Sequence, residues 1–272
     1  MAQTATEALI NTVVQIADDH LILGHRMSEW CGHAPMLEED LSMPNMALDV
    51  IGQSRALYTY AATLENKGRT EDDFAYLRTD REYTNCLLVE RPNTDFAHTM
   101  LRHFYFAAFM QPFWTGVLHI NDETLSCIAG KALKEVGYHV RHTGEWIIRL
   151  GDGTEESAAR MADAVASLHP YTAELFTEDD ARCACVEQGI LPDAASIQAQ
   201  WNTTIEQVFG TASLEVPEVK YPLLGGRSGQ HTEDFGYLLA ELQYVQPVSY
   251  THLRAHETDS YLVCRLLLEK KK

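Results

Sequence analysis

Residues 96–153 read FAHTMLRHFYFAAFMQPFWTGVLHINDETLSCIAGKALKEVGYHVRHTGEWIIRLGDG, and this stretch decides the fold. Apolar residues recur at three-and-four spacing through Phe96 to Ile120, dense in Phe and Tyr, and again through Glu123 to Leu150. The Gly-Asp-Gly of residues 151–153 is a good stop for the second helix, and Pro112 predicts a kink in the first. Toward the N-terminus the same period predicts a helix from about Thr6 to Trp30, with Leu9, Val13, Ile16, Ala17, Leu21 and Leu23 on its buried stripe. After Pro35 another runs to about Glu65, carrying Leu41, Met46, Leu48, Ile51, Leu57, Tyr60 and Leu64, with Pro44 expected to kink or restart it. A short helix is expected over Glu71 to Leu77, then a loop and a turn of helix through TDREYTNCLLVERPN, residues 79–93. Toward the C-terminus, Glu155 to Phe176, Ser196 to Phe209 and Glu233 to Gln246 read as further helices packed outside the bundle. Strand patterns are absent, so the fold class is all-α: a four-helix bundle with additional packed helices, forming one domain over residues 1–247.

Composition agrees. The 272 residues are 46% hydrophobic, and 16 Gly with 9 Pro are fewer than average, which favours long helices over frequent turns. A net charge of -18 repels polyanions and excludes nucleic acid and anionic membrane as partners. No apolar run reaches spanning length and the first residues lack signal-peptide features, so a cytoplasmic location is expected. The six cysteines are scattered and read as free thiols; Cys183 and Cys185, one residue apart, do not have zinc-knuckle spacing.

Residues 248–272, VSYTHLRAHETDSYLVCRLLLEKKK, stand apart. Five Lys+Arg against three Asp+Glu make the string basic inside an acidic chain, and it resembles a translated transposase-type sequencing adapter. It is read as a non-native tail, outside the fold.

Bundles of this length commonly hold a carboxylate-bridged di-iron centre, built from a Glu on each of two helices and a Glu-x-x-His on each of the others. Residues three apart share a helix face, so both side chains of that motif reach one iron. Here the count falls short. The first helix offers Asp18, Asp19, His25 and Glu29, and the second offers Asp49, with Gly52 where the histidine should stand. The third has no Asp or Glu between Phe96 and Asn121, and the fourth has Glu135 with His139 four residues on. Asp49, Glu135 and His139 are therefore degenerate ligand positions, and no catalytic, cofactor-binding or metal-binding residue is assigned. Glu135 and His139 read more simply as a helix-face ion pair or polar cluster, extended one turn by His142. Asp49 is expected to meet Arg55, Arg141 or an inward histidine, because a buried acid needs a partner. His98, His103 and His119 lie on the aromatic third helix with no adjacent acid expected and read as packing or interface residues. The segment Leu224-Gly-Gly-Arg227-Ser-Gly-Gln-His231 has the glycines and charge to cradle a phosphate, but reads better as a surface loop capped by Thr232.

The segments SEWCGHAPMLEEDLSMPNMALDVIGQSRALYTYAA (28–62), TDREYTNCLLVERPNTDFAHTMLRHF (79–104), KALKEVGYHVRHTGEWIIRLGDGTEES (131–157) and HTEDFGYLLAELQYVQ (231–246) closely resemble the C subunits of bacterial phenylacetyl-CoA epoxidases, in the ferritin-like family of the A and C subunits. The resemblance spans about Glu7 to Gln246; Pro44 and His169 depart from it locally, and the tail replaces the family's ending. It implies a place in the multicomponent monooxygenase that epoxidises the ring of phenylacetyl-CoA during aerobic phenylacetate catabolism. It also implies that this chain is a non-catalytic structural subunit with no cofactor of its own. Its partners would be a catalytic A subunit carrying the di-iron centre, a B subunit, and a reductase that takes electrons from NADPH through flavin and iron-sulfur groups. The rivals are a di-iron oxygenase subunit with its own metal and a helical adaptor unrelated to oxygenation. On the scaffold reading, the rings of Phe104, Tyr105, Phe106, Phe109, Phe113 and Trp114 are expected to serve partly as partner contacts; the plainer alternative is that they are core.

Overall fold

The structure is a computed structural model and describes residues 5–244. Four long helices form the frame: α1 (Ala5–Ser28), α2 (Leu37–Glu65), α5 (Phe96–Val117) and α6 (Glu123–Gly151). Between the pairs lie α3 (Glu71–Tyr76), a 3-10 turn (Asp80–Glu82) and α4 (Leu87–Glu90); beyond them come α7 (Glu155–Leu168), a 3-10 segment (His169–Phe176), α8 (Asp180–Glu187), α9 (Ala194–Thr211) and α10 (Glu233–Gln243). No strand occurs among the described residues. None of the helices is long and apolar enough to cross a membrane.

Local chemistry sets the boundaries. Asp95 and Asp122 cap α5 and α6 by accepting from the backbone N–H of His98 at 2.8 Å and Leu125 at 2.9 Å. Asn66 closes α2 in the left-handed conformation (φ 52°), which Asn tolerates better than most residues. α1 packs along α2 and α5 along α6, so the frame is two helix pairs face to face. Gly24 permits the close approach of the first pair: a Cβ there would lie 2.6 Å from Ile51 Cγ1.

Several expectations need correction. Both α2 and α5 continue as helix through Pro44 and Pro112, so Pro44 does not restart its helix. The helix expected over 155–176 changes to 3-10 at His169, where Pro170 cannot donate. The short α8 escapes the sequence reading, its polar residues masking its period. Leu41 and Leu48 stand 60% and 66% exposed on α2 instead of joining the core.

In α5 the core alternative holds against the contact reading. Phe104, Tyr105, Phe106, Phe109, Phe113 and Trp114 are each at most 2% exposed, so none forms a contact surface. α6 covers one side of α5, and α7 and α9 cover the others. Trp201 of α9 donates its indole N–H to the Tyr105 carbonyl at 3.0 Å, and His169 Nδ1 lies 3.0 Å from the Tyr105 hydroxyl. Rings on every side of a helix mark one surrounded by protein.

Candidate functional site

Consecutive residues of α1, Asp18, Asp19 and His20, enter two different polar environments. The carboxylate of Asp18 is fully buried and pairs with Arg78, which reaches it from the segment after α3. It also accepts from the Thr84 N–H at 2.8 Å, the Thr84 hydroxyl at 3.1 Å and the Tyr58 hydroxyl. Asp19 takes both arms of Arg227, at 3.0 and 2.7 Å, and the N–H of Cys86 at 2.7 Å. Burial works against the charge of Arg227, but Asp19 outweighs it and holds the guanidinium above its ordinary pKa. These two acids, candidates for an inward metal ligand, are thus committed to structural arginines.

The glycine-rich segment meets half of its expectation. Its backbone does cradle an anion, but the anion is the chain's own Glu174: Oε1 accepts from Gly225 N–H at 2.9 Å and Arg227 N–H at 3.1 Å, and Oε2 accepts from Leu87 N–H at 2.7 Å. It is the loop before α10, exposed at Leu224, Ser228 and Gln230 and anchored inward at Gly226. Gly226 is buried, and a Cβ there would fall 2.1 Å from the Asn85 carbonyl oxygen. Thr232 stands at the N-cap of α10 without a side-chain cap bond; its N–H instead reaches Glu90 Oε1 at 2.7 Å. Glu90, fully buried, also holds His231 Nδ1 at 2.7 Å and the Asn85 amide at 3.0 Å. The cavity beside this region, about 750 Å³, includes Arg78 and Arg227 in its wall, both already paired.

The second environment is the centre of the bundle, where each long helix contributes one buried polar residue: His20 from α1, Gln53 from α2, His103 from α5 and His139 from α6. Asp49 lies 3.3 Å from His139 Nε2, so of its three expected partners the inward histidine is the one it meets. Arg55 pairs instead with Glu71, and Arg141 stacks over the Tyr138 ring. Glu135 accepts from the Gln53 amide at 2.9 Å and sits 3.6 Å from Lys131. Glu135 and His139 therefore each reach across to α2 rather than pairing with one another. One turn further, His142 Nε2 meets Glu39 at 2.9 Å. These contacts are rungs between α2 and α6.

Burial pushes the His20 imidazole down to about 4 and that of His103 well below its ordinary range, so both are neutral at pH 7. The residues present do not fit a carboxylate-bridged di-iron centre. The groups that line the central void are imidazoles and an amide, while Asp49 and Glu135 bind the outer ends of His139 and Gln53.

Other candidates fall elsewhere. His25 and Glu29 meet Glu241 of α10, with one ligand atom from each residue lying within 4.8 Å of the others, but both Glu29 oxygens already hold Arg26 and Asn93. His98 has the acids its helix lacks: Asp95 just before α5 holds its Nδ1 at 2.7 Å, and Asp163 of α7 lies 3.6 Å from Nε2. His119 is exposed in the turn after α5. The cysteines among the described residues are free thiols. Cys264 and the tail lie outside those residues.

Sequence reasoning misses His20, Gln53, Arg78, Glu90 and Glu174. For Gln53 a signal exists: it stands four residues after Asp49 as His139 stands four after Glu135, so the two pairs can interlock between helices.

Paired long helices around a polar centre define a ferritin-like bundle. The chain belongs to the phenylacetic acid catabolic protein family, whose model matches residues 1–251. It is 40% identical over 235 residues to the C subunit of 1,2-phenylacetyl-CoA epoxidase from Escherichia coli (strain K12), an alignment covering 86% of this chain and 94% of that protein.

Proposed function

We propose that this chain is the C subunit of a phenylacetyl-CoA epoxidase and acts as its non-catalytic scaffold. It would hold a catalytic A subunit in working geometry while a B subunit and a reductase complete the complex. The di-iron centre would reside in the A subunit, and NADPH, flavin and iron-sulfur groups would serve the reductase. Similarity along almost the whole length of the Escherichia coli protein supports the assignment. The observation that carries the scaffold role is the polar centre, where the acids needed to bridge two irons instead tether His139 and Gln53 from outside.

A scaffold needs rigidity more than reactivity. The buried pairs Asp18 with Arg78 and Asp19 with Arg227 join α1 to the segments after α3 and before α10, so the first helix pair is tied to the chain's later half. The test compares turnover of phenylacetyl-CoA by the complete complex with turnover by the A subunit and reductase alone. Turnover should fall strongly without this chain; equal turnover would overturn the proposal.

One observation favours a second reading, a subunit with its own iron: polar side chains from all four long helices converge on one point. Metal content separates the two.

A further inference from the structure

We infer that a single internal water molecule sits at the centre of the bundle and bridges His20, Gln53 and His103. The inference stands on packing and hydrogen-bond accounting, and holds whatever partner the chain binds.

The void between α1, α2, α5 and α6 is about 10 Å³, close to what one water requires. His20, Gln53, His103 and His139 supply its polar wall, and Val50, Phe106, Ala107, Met110 and Val136 close it. All four polar residues are at most 4% exposed. His20 Nε2, Gln53 Oε1 and both ring nitrogens of His103 are buried with no hydrogen bond of good geometry in the protein, although Gln53 lies close enough to His20 to favour its protonated form. Orphaned polar atoms are rare in folded proteins, and several around one void call for an occupant.

The outer contacts fix what that occupant must be. His20 Nδ1 lies 2.6 Å from the Ile16 carbonyl, which only accepts, so Nδ1 carries the proton and Nε2 presents a lone pair. Glu135 as a carboxylate only accepts, so the Gln53 amide nitrogen faces it and Oε1 is left as an acceptor. His103 is neutral and has one N–H to give. Of these three acceptors and one donor, His20 Nε2, Gln53 Oε1 and the His103 N–H match a water that donates both its protons and accepts one, while the second His103 nitrogen stays outside the bridge. A divalent cation would sit among neutral ligands, since neither Asp49 nor Glu135 lines the void, a costly arrangement in a dry interior. The water thus occupies the place where a metal-binding bundle keeps its ions, joining three of the four long helices.

The first test is a high-resolution crystal structure of the wild-type chain, with diffraction recorded on both sides of the iron and zinc absorption edges. The expected result is one oxygen-sized peak within hydrogen-bonding distance of His20 Nε2, Gln53 Oε1 and a His103 ring nitrogen, with no anomalous signal. A void without density overturns the inference and leaves the scaffold reading intact; an anomalous peak overturns the water and favours the second reading. The second test is the thermal midpoint of His103→Leu. If water satisfies the imidazole, the variant breaks the bridge and the midpoint falls. If the imidazole is an orphaned group, removing it raises the midpoint and the inference fails.

Discussion

Asp18, Asp19 and His20 are consecutive on α1, yet the two sides they face meet opposite solutions to the same problem. Toward α3 and α10 the helix buries full charges and neutralises each with an arginine, at Arg78 and Arg227. Toward α5 and α6 it buries His20 without charge, beside a His103 that burial likewise keeps neutral. A buried charge is tolerated only beside its opposite, whereas a neutral polar group needs only hydrogen bonds. The acids of α1 serve to hold elements together, and the centre is left without the negative charge that two irons demand.

The sharpest way to break this contrast is Arg78→Met, which strands Asp18 in the interior. Removing one partner of a buried pair costs about 3–5 kcal/mol, and urea denaturation should show a loss of that order. The neutral centre breaks by pH instead. The His20 pKa, about 4, lies below the ordinary 6.5, so the unfolded chain takes up this proton before the folded one does. Its contribution is complete above pH 6.5 and is lost as the pH falls toward 4, on the order of 3 kcal/mol in all. Urea midpoints measured from pH 7 to 4 should show this slope, and His20→Phe should flatten it. His231 behaves in the opposite sense: burial opposes its charge but Glu90 outweighs this, so its contribution is full below 6.5 and fades as the pH rises through its raised pKa.

Gly226→Ala disturbs the charged side without removing a charge. The added methyl meets the Asn85 carbonyl and displaces the loop that supplies Arg227 and two N–H donors to Glu174, for a loss of about 1–3 kcal/mol in the same assay. At the far end of the scale, Arg55→Ala removes an exposed ion pair with Glu71 and should change stability by less than about 0.5 kcal/mol.

What can be read from the sequence depends on how local each signal is. The long helices are legible because a 3.6-residue period repeats over many turns, and Gly151 to Gly153 mark a stop that the structure keeps. Asp49, Glu135 and His139 stand out as polar residues on bundle helices, but the contacts they make span 90 and 82 residues of chain, beyond any local pattern. Arg78 is invisible for the same reason, 60 residues from Asp18. The aromatic face of α5 misleads because apolar period alone does not say whether a ring meets the chain's own α7 and α9 or another subunit. The glycine-rich segment is legible as the loop before α10, and only the fold reveals that its N–H groups hold the chain's own Glu174.

The most direct measurement of the scaffold role is the iron content of this chain, purified after expression in iron-supplemented cells and freed of loosely held metal. A centre with no inward carboxylate predicts essentially no retained iron, with the di-iron chemistry left to the partner. Close to two irons per chain would contradict the account and make Glu135 and His139 the first residues to replace.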